Sequence, residues 1–186
     1  MKIYKIETDT NNIQLLQPVD QSKINLDFMK FDCEPRLPEW EELLVYIYNP
    51  KIKPKNFYHF TSGVLVFDEK ALEVCQTLFE MAGEILILQV EGGPKLYLLN
   101  VIECMNGLNP DKTEWDYYSD GTKGRILKLS LHKNRIMNES TIFKIPETCK
   151  NDIYCFADVK DKSDEFYHIY EENKLSGLIF KEIDSE

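Results

Sequence analysis

The sequence predicts an α+β fold, on three observations. Residues 60–101, FTSGVLVFDEKALEVCQTLFEMAGEILILQVEGGPKLYLLNV, read as strand, helix, strand, turn, strand. A second strand-helix-strand pattern closes the chain over residues 153–183. Between the two units the turn Gly92-Gly93-Pro94 joins aliphatic runs into a hairpin, which breaks the regular alternation of an α/β fold. The expected architecture is a single domain with a central mixed or antiparallel sheet, a β-hairpin and two helices.

Taken in order, residues 2–7 make a first strand, with Ile3 and Ile6 among polar neighbours, and the polar run 8–12 ends it. Prolines interrupt residues 25–38, and no element is assigned there. Residues 43–48, LLVYIY, form an apolar and aromatic run closed by Asn49-Pro50 and predict a buried strand. A basic loop over 51–56 follows.

Residues 63–67 are a strand leading to Asp68, a capping residue whose carboxylate can accept from free helix amides. In the helix Leu72, Cys75, Leu78 or Phe79, and Ala82 recur at three- and four-residue spacing and mark one apolar stripe. Gly83 is expected to stop it in a left-handed conformation. The hairpin strands are 84–91 and 95–102.

Residues 103–124 read as a long connection scattered with Asn, Gly, Pro and Asp, of a length usually functional or mobile. RILKLSL, 125–131, alternates as a strand with one wet face. Residues 141–145 are a short strand stopped by Pro146. The closing unit is a strand at 153–156, an acidic helix over 163–173 with Phe166, Ile169 and Tyr170 on its apolar face, then Gly177 and a strand at 178–183.

A chain of 186 residues, 43% hydrophobic, can bury a core without disulfides or metals. No apolar run approaches the roughly 20 residues that span a bilayer. MKIYKIETDTNN turns polar before a signal peptide could form, so the expected location is the cytoplasm. Cys33, Cys75, Cys104, Cys149 and Cys155 are an odd set without a CxxC pair, which argues for reduced thiols, most of them in the core. With 22 basic and 32 acidic residues the formal charge is −10, which repels nucleic acid and acidic membranes. That balance suits a basic partner, and it also serves solubility alone.

The residues give enzymatic function little support. His59, His132 and His168 are far apart and lie in no HExxH or metal-spaced cluster. His59, within Phe57-Tyr58-His59-Phe60, reads as a packed imidazole. No nucleophile elbow, P-loop or dinucleotide fingerprint opens a helix. The pairs Glu41-Glu42 and Glu171-Glu172 read as solvated. What remains is recognition chemistry: Glu114, Trp115, Asp116, Tyr117, Tyr118 and Asp120 set three large aromatics among three carboxylates, suited to anchoring a basic protein surface. The competing structural role has Trp115 packing on the hairpin with the tyrosines shielding its rim.

Over residues 60–183 the chain resembles the Imm11 immunity proteins, a bacterial family once filed as a domain of unknown function. The similarity lies in VLVFDEKA, a strand followed by a helix opening with an acidic residue; in Leu98-Leu99-Asn100-Val101 ending an aliphatic hairpin; in Ile142-Phe143-Lys144-Ile145; and in the closing Leu175-Ser176-Gly177-Leu178-Ile179-Phe180. Where that family commonly carries Asp-x-Leu-Asp, this chain has Asn106-Gly107-Leu108-Asn109, which weakens any charge role there. The resemblance implies stoichiometric inhibition of a cognate toxin domain by direct binding, with no turnover and no cofactor, and the spacing of the histidines and cysteines predicts no metal. Two other classes stay open from the residues: an acidic nucleic-acid mimic or regulator of a basic cellular protein, and an enzyme of unknown type, which a pocket holding His59 or His132 beside two carboxylates would favour.

Overall fold

Period-two alternation along the strands, and one stripe on each helix, divide the apolar side chains among three cores. The computed structural model describes residues 1–23, 29–136 and 140–185. Part of the unassigned stretch, residues 25–28, lies outside the described residues. The strands are β1 (Lys2–Thr8), β2 (Leu16–Pro18), β3 (Leu43–Ile47), β4 (Phe57–Tyr58) and β5 (Val64–Phe67), followed by α1 (Glu69–Ala82). Next come β6 (Gly83–Val90), β7 (Lys95–Val101), β8 (Glu114–Tyr117), β9 (Lys123–Lys128), β10 (Ser130–Leu131), β11 (Ile142–Phe143) and β12 (Ile153–Ala157); α2 (Phe166–Glu172) and β13 (Leu178–Ser185) complete the chain.

The fold is α+β, with its strands in two large sheets and a ribbon where one central sheet was expected. The first sheet runs β2-β3-β6-β7-β5-β4, the second β10-β13-β1-β12-β11, and β8-β9 pair by themselves. Each large sheet holds one strand-helix-strand unit straddling an antiparallel strand. β5 and β6 flank β7, whereas β12 and β13 flank β1, and every one of those pairings is antiparallel. The expected hairpin is β6-β7, in register from Gly83↔Val101 to Gln89↔Lys95.

The largest core lies where the two units meet. Phe67 and Leu99 from the first sheet and Ile6 and Cys155 from the second pack with Cys75 and Phe79 of α1 and Phe166 and Tyr170 of α2. Alternate residues of the same strands enter the outer cores: Val66, Leu86 and Leu98 pack with Phe31, and Ile3, Tyr154 and Phe156 pack with Met105 and Leu131. No helix among the described residues is long and apolar enough to cross a membrane.

The capping expectation at α1 is met. Asp68 Oδ1 accepts from the Ala71 amide at 2.9 Å, and its Oδ2 accepts from Asn56 Nδ2 at 2.9 Å. Asp68→Ala should therefore lower stability in urea by about 1–2 kcal/mol, with Asp68→Asn closer to wild type; equal stability of all three would remove the cap from the account. The buried stripe is Ala71, Cys75, Leu78, Phe79 and Ala82, with Leu72 only half-buried.

Several expectations are corrected by tertiary contacts. Gly83 is extended, with φ 169° and ψ −140°, and opens β6 directly instead of stopping α1 in a left-handed turn. Its missing side chain serves a close approach: a Cβ there would lie 2.0 Å from the Asn100 carbonyl oxygen. In β3 only Leu43 and Val45 are buried and Leu44 is exposed, so that strand is half-wet. The predicted strand 125–131 splits at Leu129, because Ser130 is drawn into the second sheet, where its backbone bonds Thr113 Oγ1 and pairs beside Asp184.

The second helix starts three residues later than expected. Asp161 Oδ1 accepts from Ser163 N and Oγ, at 3.0 and 2.8 Å, and makes a tight turn. The buried Glu165 carboxylate then accepts from Val159 N and Lys162 Nζ, both at 2.7 Å, which holds residue 165 extended. The expectation that most cysteines are core residues holds for Cys75 and Cys155; Cys33 is half-buried, and Cys104 and Cys149 are exposed.

Lys144 is fully buried, its Nζ donating to the Phe31 carbonyl at 2.6 Å. Burial pulls its ammonium from 10.5 down to about 8. Between those values the unfolded chain holds a proton that the folded chain has released, so this group makes stability rise with pH across that window. Buried thiols such as Cys75, pushed up by burial, act in the opposite direction. The difference in stability, wild type minus Lys144→Met, isolates the lysine and should grow by about 1 kcal/mol from pH 8 to pH 9. A difference independent of pH would mean that Lys144 keeps its ordinary basicity.

Candidate functional site: the β8-β9 ribbon

The acidic-aromatic run occupies β8 and the turn after it. Asp120 closes that turn: its Oδ1 accepts from Thr122 N at 2.9 Å and from Thr122 Oγ1 at 2.6 Å, and these bonds hold its carboxyl below the usual range. Tyr118 N donates to Thr122 O, and Gly121, at φ 82°, donates to Tyr118 O. The second half of the expected connection, 114–124, thus belongs to a two-stranded ribbon, while in its first half Cys104 and Leu108 bridge Lys144 and Leu131.

β9 supplies what the sequence reading left out. Glu114 stands opposite Lys128 in register, and Asp116 lies 3.6 Å from Arg125 Nε. Lys123 Nζ sits 4.9 Å above the Trp115 ring, a cation-π contact, while Trp115 pairs with Ile126. Three carboxylates on β8 and its turn are balanced by three cations on β9, so the ribbon is close to neutral, although Lys128 Nζ itself reaches Asp184 of β13 at 3.5 Å. Such exposed pairs contribute roughly 0–1 kcal/mol each, so they set register more than they stabilise. The alternation of Lys123 and Arg125 with Gly124 and Ile126 was the available signal, since it is the pattern of a partner strand with charges at every second position.

Tyr117 is 58% exposed, Tyr118 66% and Leu127 57%. The tyrosines face solvent, with the Tyr118 ring lying over Gly124 of the neighbouring strand. Trp115 is half-buried in its own ribbon, and its indole nitrogen is buried without a hydrogen-bond partner among the described residues. Asn109, at the start of this excursion, is buried and its Oδ1 accepts from Asp111 N at 3.2 Å, a turn-forming role. Asn106 is exposed.

A second concave region of about 320 Å³ lies where β1 and β12 approach β5, and it does hold His59 with Glu7 and Asp152. Its charges are already engaged. Lys5 Nζ lies 3.0 Å from Asp152 and 3.4 Å from Glu7, and Lys181 also pairs with Glu7. Burial raises the Glu7 carboxyl, but the bonds from Lys181 and Lys5 outweigh it and leave it lowered. His59 Nδ1 shares a 2.9 Å hydrogen bond with Thr8 Oγ1, and burial lowers its basicity, so it is neutral at pH 7. Both carboxylates of the cleft are held by lysines and the Glu7 carboxyl is lowered, where an acid-base pair needs one carboxyl pushed up. His132 and His168 lie elsewhere, and no group of three potential metal ligands occurs among the described residues.

No protein-family model matches the chain, and no curated protein matches it.

Proposed function

We propose that the protein is an immunity protein of the Imm11 kind, which binds a cognate toxin domain in the cytoplasm and blocks it one-to-one. The observation that carries this reading is the ribbon: it joins neither sheet, yet displays Tyr117, Tyr118 and Leu127 to solvent. A soluble chain gains nothing in its own stability from large apolar groups held in water, whereas aromatic anchors on a braced ribbon lose little entropy on docking. The resemblance over residues 60–183 supplies the kind of partner, and the formal charge of −10 favours a basic one. Because the ribbon's own charges balance, steering arises from the rest of the surface, and the ribbon anchors.

Co-expression with the toxin encoded beside it tests the reading, since abundant, folded protein that leaves toxicity intact would exclude immunity toward that toxin. Trp115→Ala or Tyr117→Ala should weaken toxin binding by about 2 kcal/mol, roughly thirtyfold, without unfolding the chain. A loss under about 1 kcal/mol, confined to a salt-dependent association rate, would place these side chains at a rim. An acidic mimic of nucleic acid would instead compete with DNA for a basic protein and be insensitive to Tyr117→Ala.

A further inference from the structure

Lys144 organises a second, unrelated cluster. It sits between two cysteines that lie far apart in sequence, Cys33 and Cys104, and fixes the backbone beside each. On one side, Lys144 Nζ holds the Phe31 carbonyl at 2.6 Å, Lys150 Nζ holds the Asp32 carbonyl at 2.9 Å, and Asn100 Nδ2 holds the Glu34 carbonyl at 2.9 Å. Cys33, in a left-handed conformation at φ 68°, is thus pinned by anchors on both flanks. On the other side, Cys104 bridges Lys144 in parallel, with Lys144 N donating to Glu103 O at 2.8 Å and Met105 N donating to Lys144 O at 2.9 Å. Cys33 and Cys104 thus gather at Lys144, near enough for each to act electrostatically on its ammonium.

We propose that Cys33 and Cys104 form a redox pair, which a peroxide joins in a reversible disulfide that ties the segment around Phe31 to the chain just beyond β7. Cys104 is exposed and Cys33 half-buried, so Cys104 meets the oxidant first. Burial pushes the Cys33 thiol up to about 12, which keeps it protonated and inert toward peroxide. Cys104 loses its proton, and its sulfur attacks one peroxide oxygen; the O–O bond breaks, the leaving hydroxide becomes water, and Cys104 is left as a sulfenic acid. The Cys33 sulfur then attacks that sulfur; the S–S bond forms, the S–O bond breaks, and the hydroxyl leaves as water with the Cys33 proton. Two thiols give up two electrons to one peroxide, and two waters result. Lys144 is a positioning residue, because it holds the backbone flanking each partner, at Phe31 and at Glu103 and Met105, and takes no part in the bonds made and broken.

The segment that this bond would lock covers the outer face of the first sheet, where Phe31 and Trp40 pack and Trp40 Nε1 donates to Ile87 O at 3.0 Å. Oxidation would therefore fasten a cover, leaving the ribbon untouched.

Treating the full-length protein with dilute hydrogen peroxide and mapping its peptides tests the pair. The expected result is a Cys33–Cys104 cross-link that dithiothreitol reverses, with free thiols falling from five to three. A Cys33–Cys149 link, or oxidation of Cys104 and Cys149 alike with no link, would overturn it. In Cys33→Ser, Cys104 should stop at a sulfenic acid trapped by dimedone. Lys144→Met, checked for folding by circular dichroism, should form that sulfenic acid at the wild-type rate but close the disulfide at least about tenfold more slowly. Closure at the wild-type rate would overturn the positioning.

Discussion

Gly83→Ala is expected to cost about 3 kcal/mol or more, and to reduce the yield of folded protein sharply. The added Cβ would lie 2.0 Å from the Asn100 carbonyl oxygen and 2.9 Å from the Ile102 amide nitrogen. Both are backbone atoms of or beside β7, so no rotamer change relieves the clash. The sheet would have to open along the β6-β7 ladder, or α1 would have to give up the bonds that Ala82 O accepts from the Ile102 and Glu103 amides, at 3.0 and 3.1 Å. Overpacking of side chains alone costs about 1–3 kcal/mol, and a main-chain collision lies at or above that range. Gly92→Ala is the control: a Cβ there meets nothing within 4 Å, and only its φ of 65° is unfavourable, which predicts a loss of about 1 kcal/mol. Equal urea midpoints for Gly83→Ala and wild type would show that helix and strand do not join at this glycine.

The contrast between the two glycines also explains what a sequence can reveal. Asp68 capping α1, the apolar stripe along it and the β6-β7 hairpin are legible because each is settled by residues within one turn or one tight loop. Gly83 reads as a left-handed stop because a glycine after a helix usually is one; the closeness of Asn100 is tertiary and leaves no local mark. The division into two sheets is equally silent, since it depends on β1 pairing with β12 from Lys2↔Ala157 to Ile6↔Ile153, across most of the chain. Nothing within MKIYKIET states which distant strand it will join.

The candidate site was half legible for the same reason. Its aromatic and acidic side is contiguous, Glu114 to Asp120, and stands out by composition. Its cationic side is split, with Lys123 at the end of what reads as a loop and Arg125 and Lys128 inside what reads as a single strand running on to Leu131. Only the turn closed by Asp120 and Thr122 brings the two together, and it converts an apparently acidic loop into a nearly neutral ribbon with exposed tyrosines. The physical picture of binding changes with it, from charge steering at the loop to anchoring by aromatic area.

Phe166→Ala should be the most damaging core truncation outside the first sheet, at about 3–5 kcal/mol. Phe166 opens α2 fully buried, and its ring meets four others: Phe79 of α1 at 5.5 Å, Phe180 of β13 at 5.8 Å, Phe57 of β4 at 6.1 Å and Tyr170 at 6.3 Å between centroids. It therefore touches both helices and both sheets, and a void there cannot close by moving one element without pulling on another. Phe166→Leu, which fills most of the volume, should lose only about 1.5 kcal/mol or less. The same pair of variants separates fold from binding. If the ribbon alone anchors the partner, Phe166→Leu should bind as tightly as wild type and Phe166→Ala should fail only in proportion to its unfolded fraction, whereas Tyr117→Ala should fail while its urea midpoint is unchanged. Weakened binding by well-folded Phe166→Leu would move the contact surface away from the ribbon and onto the junction of the two sheets.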